Sequence, residues 1–122
     1  MAIGLFEGIV ALLQEKIPFK APAFLPGIYA YALENEFYRI DDTLIIRRTR
    51  MEEDDYRVTR GTRIVRIIKG KKGVPESQQQ QWQGHYTAIG CQLVSSNEAD
   101  TIYYYPEKNR VSKASFYYEK IE

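Results

Sequence analysis

The sequence predicts a mainly β fold, in which an antiparallel meander of seven or eight strands closes into a barrel after one N-terminal α-helix. Three observations predict this class. Apolar residues near the start recur at three- and four-residue steps, which is the spacing of one helix face. From Gly27 onward, short apolar and aromatic runs alternate with turn residues. After that glycine, no segment of helical periodicity is long enough for the crossover that joins parallel strands.

The chain of 122 residues is long enough for a single domain with one modest core. We predict a helix within residues 1–17, a proline-rich connector at 18–26 and a barrel over 27–121. Pro18 ends the helix, because proline lacks the amide hydrogen and disfavours helix in the residue before it. A closed barrel is favoured over an open sheet, since closure leaves no exposed strand edge.

Turn residues delimit the predicted strands. Asp41 and Asp42 are interpreted as a turn, Gly61 as a second break and residues 70–80 as a polar loop. The long strand that follows this loop is expected to bend at a glycine. The predicted strands cover 27–33, 36–40, 43–50, 55–60, 62–69, 82–94, 101–105 and 110–121.

The formal net charge is +1, so the molecule as a whole carries no strong field. Basic residues are concentrated between positions 47 and 72, and from Arg57 to Lys69 they recur at every third residue. A three-residue step alternates between the faces of a strand. This row therefore favours a solvated surface over a nucleic-acid interface. A single arginine inside the barrel, such as Arg48 or Arg110, would suit a ligand carboxylate because its planar fork pairs with two oxygens.

The N-terminal apolar stretch predicts neither a signal peptide nor a transmembrane segment. No basic residue precedes Lys16, and the stretch is too short to cross a bilayer. Cys91 is the sole cysteine, so no internal disulfide forms, which fits a reducing compartment. We therefore expect a cytoplasmic protein by default, and an exported one if an upstream signal has been removed.

Residues that carry catalytic chemistry show no recognisable arrangement. His85 is the only histidine, and neither Cys91 nor any serine lies in a nucleophile motif. No carboxylate pair or His/Cys cluster has the spacing of an acid–base or metal site. We predict no catalytic residue, metal or cofactor, and we favour a protein that is not an enzyme, although strands can assemble a site from distant residues.

Five of the ten tyrosines lie in the segment 101–120, which is predicted to form a hairpin. A four-residue loop would place Tyr105 opposite Arg110 and Tyr103 opposite Ser112. If residues 110–121 form one strand, Phe116 and Tyr118 share the face of these four. The phenols either stabilise the sheet through cross-strand pairing or line a ligand site.

A short helix, then Gly27 and Tyr29 opening the first strand, then a meander that ends in an aromatic and basic strand resembles the lipocalin-like (calycin) barrels. In that family the opening motif is Gly-x-Trp, and the tryptophan packs beneath the barrel against a basic residue. The resemblance implies that Lys120 is the partner of Tyr29. It also implies a cup-shaped cavity for a small apolar or amphipathic molecule.

The predicted function is noncatalytic binding of a small hydrophobic or amphipathic ligand in the barrel cavity. The alternative is a protein–protein interaction module with a filled barrel or sheet, which would use the amphipathic helix or the basic strands. A small enzyme with a pocket in the barrel is the third hypothesis. Bulky side chains that fill the interior would weaken the ligand hypothesis. The candidate ligand-binding residues are Tyr29, Tyr31, Arg48, Tyr103, Tyr105 and Arg110.

Overall fold

The computed structural model of the protein describes residues 23–49, 54–97 and 100–122. The predicted N-terminal helix and most of the connector lie outside the described residues. One turn of 3₁₀ helix spans Pro106–Lys108. The strands are β1 (Gly27–Glu34), β2 (Tyr38–Arg48), β3 (Asp55–Ile68), β4 (Lys71–Lys72), β5 (Glu76–Thr87), β6 (Gln92–Ser95), β7 (Ile102–Tyr105), β8 (Arg110–Lys113) and β9 (Phe116–Lys120).

Eight of these strands close into an antiparallel barrel, as the sequence predicts. β1 pairs with both β2 and β9, β2 with β3, and β3 with β5. The chain then continues from β5 through β6, β7 and β8 to β9. The two-residue β4 pairs with the end of β3 and stands outside the ring. This architecture is consistent with a calycin-like fold.

The two halves of the barrel have strands of unequal length. β2, β3 and β5 have 11, 14 and 12 residues, whereas β6, β7 and β8 have four each. On its β5 side, β6 pairs with Gly84–Thr87 at the end of that strand. Among the described residues, the first part of β5 therefore has a neighbour on its β3 side and no paired strand on the other. This mismatch leaves a gap in the wall between β5 and β8.

Apolar side chains fill the closed part of the barrel. Several of them have no surface that even a water molecule can reach, so they pack against one another instead of surrounding an empty lumen. In the part of the chain that the structure describes, bulky side chains occupy the interior, which weakens the hypothesis of a ligand at the barrel centre. The core contains Phe24, Tyr29, Leu44, Ile46, Tyr56, Val58, Trp82, Tyr86, Leu93, Ile102, Tyr104, Val111 and Tyr118.

Phe24, from the proline-rich connector, closes one end of the barrel. Its ring lies 5.0 Å from the rings of both Tyr56 and Tyr104 and 5.4 Å from that of Tyr86, measured between centroids. The edge-to-face angles of the first two contacts are those that aromatic quadrupoles favour. Tyr29 fixes this segment by donating a hydrogen bond of 2.5 Å to the carbonyl of Leu25.

The predicted turn at Asp41–Asp42 is wrong. Both aspartates lie within the continuous strand β2, and Asp42 is buried on the inner face. A buried carboxylate needs partners, and they come from β3 and β9, which are distant in the sequence. The break predicted at Gly61 is likewise absent, since β3 runs through this residue.

The strand bounds around β5 and β8 also differ from the prediction. β5 begins at Glu76 and includes the four consecutive glutamines at 78–81, which pair with β3 although the sequence predicts a loop up to residue 80. Residues 88–91 form a turn between β5 and β6. A further turn at Ala114–Ser115 divides the predicted last strand into β8 and β9. Phe116 therefore lies opposite Lys113, and the prediction that Phe116 and Tyr118 share the face of Tyr103 is wrong.

Candidate ligand-binding cleft

A buried carboxylate separates the apolar core from a polar layer above it. Asp42 is 5% exposed and accepts hydrogen bonds from Arg60 Nη2 at 2.7 Å and Nε at 3.1 Å. The hydroxyl of Tyr118 donates to the same carboxylate at 3.0 Å, and that of Thr62 lies at 3.5 Å. The bidentate pair with Arg60 and the phenol satisfy this charge within the protein. The carboxylate also raises the pKa of Arg60.

A cleft of about 450 Å³ opens where β5 runs past the end of β6. Arg60 and Gln80 face each other across β3 and β5, and the side chain of Trp82 lies next to them along β5. Lys113 at the end of β8 and Asp100 before β7 complete the opposite side. We name this site the polar cleft and define it by Arg60, Gln80, Trp82, Asp100 and Lys113.

Lys113 is a buried cation whose ion-pair partner is largely exposed to solvent. Its side chain is only 8% exposed, and its ammonium lies 3.5 Å from a carboxylate oxygen of Asp100, whose own side chain is 60% exposed. An ion pair of this length to a solvated carboxylate compensates little for the loss of water around a buried ammonium. The Nζ atom also lies 5.9 Å from the centre of the Trp82 ring, at the outer limit for a cation–π contact.

Trp82 provides a second incompletely bonded donor in the same cleft. Its indole Nε1 is buried and has no hydrogen-bond partner among the described residues. Buried polar atoms in folded proteins are almost always paired, so an exception calls for a reason. An indole N–H can only donate, and an ammonium can only donate. The indole N–H therefore lacks an acceptor among the described residues, whereas Lys113 has the long ion pair to Asp100.

Three of the six site residues predicted from the sequence lie apart from one another in the barrel. Tyr29 is completely buried in the core and lies opposite Lys120 in the β1–β9 register. Tyr31 is partly buried and packs against Phe116, with 5.0 Å between ring centroids. Arg48 lies at the end of β2, where its guanidinium is 3.3 Å from the hydroxyl of Tyr56.

The other three predicted residues lie together on the outer wall of the barrel. Tyr105 pairs with Arg110 and Tyr103 with Ser112, which confirms the predicted hairpin register. Tyr103 and Tyr105 are exposed, and the guanidinium of Arg110 lies 5.1 Å from the ring centre of Tyr117. We name this region the aromatic wall and define it by Tyr103, Tyr105, Arg110 and Tyr117. These side chains do not line the barrel interior.

Sequence reasoning missed the two cations of the polar cleft. Arg60 lies two and four residues after Val58 and Tyr56, which are both buried. The period of two in a strand places all three on the inner face, so this alternation was the available signal. Lys113 carries the same signal, because it lies two residues after Val111, which is buried.

Comparisons with protein-family models, curated proteins and solved structures found no match to this chain. The class that the fold defines is a small, closed antiparallel β-barrel with a filled core and a polar cleft in its wall. Within the described ranges, no helix is long and apolar enough to span a membrane. The same residues contain no group of three or more His, Cys, Asp or Glu side chains that could hold a metal ion.

Proposed function

We propose that this protein is a noncatalytic binder of a small amphipathic anion, which it holds in the polar cleft and not at the barrel centre. The observation that carries the proposal is the proximity of two donors, the Lys113 ammonium with its long ion pair to Asp100 and the Trp82 indole N–H, which has no partner among the described residues. A carboxylate ligand supplies acceptor oxygens to both of them. Asp100 fills this role only in part, because its exposed carboxylate lies 3.5 Å from the Lys113 ammonium.

The ring of Trp82 is the aromatic surface that the cleft offers to the apolar half of such a ligand, and the other lining side chains are polar or charged. Arg60 is largely committed to Asp42, although its Nη1 reaches Gln80 Oε1 at 3.5 Å. We therefore assign Lys113 as the principal anion-binding residue and Arg60 as a positioning residue for the floor of the cleft.

The experiment is a calorimetric titration with dodecanoate, using dodecanol as the uncharged control ligand. Lys113→Gln should weaken dodecanoate binding about tenfold, the scale of one charge-assisted hydrogen bond. Asp100→Asn should strengthen it, because the competing carboxylate is removed. Lys108→Gln, in the exposed 3₁₀ turn, is the matched control and should have no effect. Dodecanoate binding that is equal in all four proteins would refute the proposal.

A second candidate function is protein interaction through the aromatic wall. Tyr103 and Tyr117 are 43% and 51% exposed, and the rings of Tyr105 and Tyr117 lie 5.8 Å apart. Depressions of about 320 and 540 Å³ adjoin these two rings. Exposed tyrosine and arginine side chains are enriched at protein interfaces. A photo-crosslinking side chain at position 117 should then capture one specific protein, whereas the same group at position 63 should not.

A further inference from the structure

The outer face of β2, β3 and β5 carries an arrangement of charge that the polar cleft does not use. Arg47 lies directly opposite Arg57 in the β2–β3 register, and Arg57 lies opposite Gln83 in the β3–β5 register. Directly opposed residues point to the same face, with Cβ atoms about 5 Å apart. Two arginine side chains thus project from neighbouring positions on the outside of the barrel, on the other surface of the strands that form the cleft.

These two arginines differ from the paired arginines of the barrel. Arg39, Arg60 and Arg110 each form an ion pair with a carboxylate. Among the described residues, no carboxylate forms an ion pair with Arg47 or Arg57. Asp55 lies two residues before Arg57 on the same face, but its carboxylate is bonded to His85 Nδ1 at 2.8 Å.

Like charges that face each other across two strands destabilise a sheet. An anion between them removes this repulsion, and the planar guanidinium fork suits the oxygens of a phosphate.

The surface at this position is concave, and further polar side chains line it. A groove of about 470 Å³ is bounded by the two arginines, and Arg48 stands at its end. The hydroxyls of Thr49 and Thr59 and the amide of Gln83 also line it. We name it the arginine groove and define it by Arg47, Arg48, Thr49, Arg57, Thr59 and Gln83.

We propose that the arginine groove binds a phosphate-type oxyanion, either free phosphate or a phosphate monoester. The site is separate from the polar cleft, because the two opposed arginines lie on the outer face of the barrel. Its single pair of opposed arginines suits one phosphate group and not the continuous backbone of a nucleic acid, which needs a longer basic track.

The test is a titration with inorganic phosphate and with glycerol 3-phosphate, followed by amide chemical shifts. Both Arg47→Gln and Arg57→Gln should weaken binding at least about tenfold. Arg63→Gln is the matched control, since Arg63 is also on the outer face of β3 but lies opposite Asp41. It should change the affinity less than about twofold, because Arg63 lies outside the arginine groove. Of the two probes, inorganic phosphate and glycerol 3-phosphate, the one with the lower dissociation constant shows whether the free ion or the ester is the preferred ligand.

A second readout separates a binding role from a structural one. Without phosphate, Arg47→Gln should raise the thermal unfolding midpoint, because it removes the repulsion from Arg57. With phosphate, the wild-type protein should gain stability and the variant should not. Three results would overturn the proposal: no binding of either probe at millimolar concentration, an equal loss in Arg63→Gln, or binding that appears only with an oligonucleotide.

Discussion

Burial changes the acid–base behaviour of four tyrosines inside the barrel. Burial is the largest cause that raises the pKa of Tyr29, Tyr86, Tyr104 and Tyr118 above that of an exposed phenol. The negative charge of Asp42 contributes further at Tyr118, whose hydroxyl donates to that carboxylate. An ionised phenolate at any of these positions would lose its water and face a negative or apolar neighbour.

These shifts predict a loss of stability in alkaline solution. The folded state holds the phenolic protons more tightly than the unfolded chain, whose tyrosines ionise near pH 10. The contribution to the free energy of unfolding is therefore complete below about pH 10 and falls as the pH rises above it. Urea denaturation at a series of pH values measures this fall. Ultraviolet titration should show fewer phenolates in the native protein than in urea at the same pH.

Ionisation of all ten tyrosines of the native chain together near pH 10, with its circular dichroism unchanged, would contradict the burial of Tyr29, Tyr86, Tyr104 and Tyr118.

At the scale of elements, the turn between β8 and β9 decides which side chains face the polar cleft. Ala114 and Ser115 both have positive φ, at 51° and 70°. Two-residue hairpins that need positive φ at both positions usually contain Asn-Gly. The turn reverses the chain after Lys113, so that Phe116 returns on the inner face opposite it.

The Asn-Gly replacement of this turn should stabilise the protein. Non-glycine residues in the left-handed region cost roughly 1 kcal/mol each, and asparagine and glycine reduce that cost. The double variant Ala114→Asn, Ser115→Gly should raise the free energy of unfolding by about 1 kcal/mol in urea denaturation. Ser77→Gly in the exposed part of β5 is the control and should lower it, since glycine weakens a strand. A destabilised double variant would contradict the turn geometry.

The same turn shows why some elements were predictable from the sequence and others were not. The closed barrel follows from alternating apolar residues and closely spaced turns, which are local signals. Neither alanine nor serine signals positive φ, so the Ala114–Ser115 turn had no such signal. Asp42 signalled a turn because its partners Arg60 and Tyr118 are distant in the sequence. The glutamines of β5 form a strand because they pair with β3, which overrides their low preference for β structure.

For the whole molecule, the unequal halves of the barrel are what position the two proposed sites. The long strands β2, β3 and β5 continue where the short strands β6, β7 and β8 end, and the gap between them is the polar cleft. The outer face of the same long strands forms the arginine groove. The lipocalin-like relationship and the N-terminal helix remain predictions from the sequence. The filled core moves the proposed ligand from the centre of the barrel to its wall.

The measurement that tests the proposed ligand site most directly is the proton resonance of the Trp82 indole N–H. The chain has one tryptophan, so this signal needs no further assignment. On addition of dodecanoate, it should move downfield as the N–H gains an acceptor, and Lys113→Gln should diminish the movement. The amide signals of the aromatic wall should stay in place. An indole resonance that does not move while dodecanoate shifts the signals of Tyr103 and Tyr105 would contradict the proposed site.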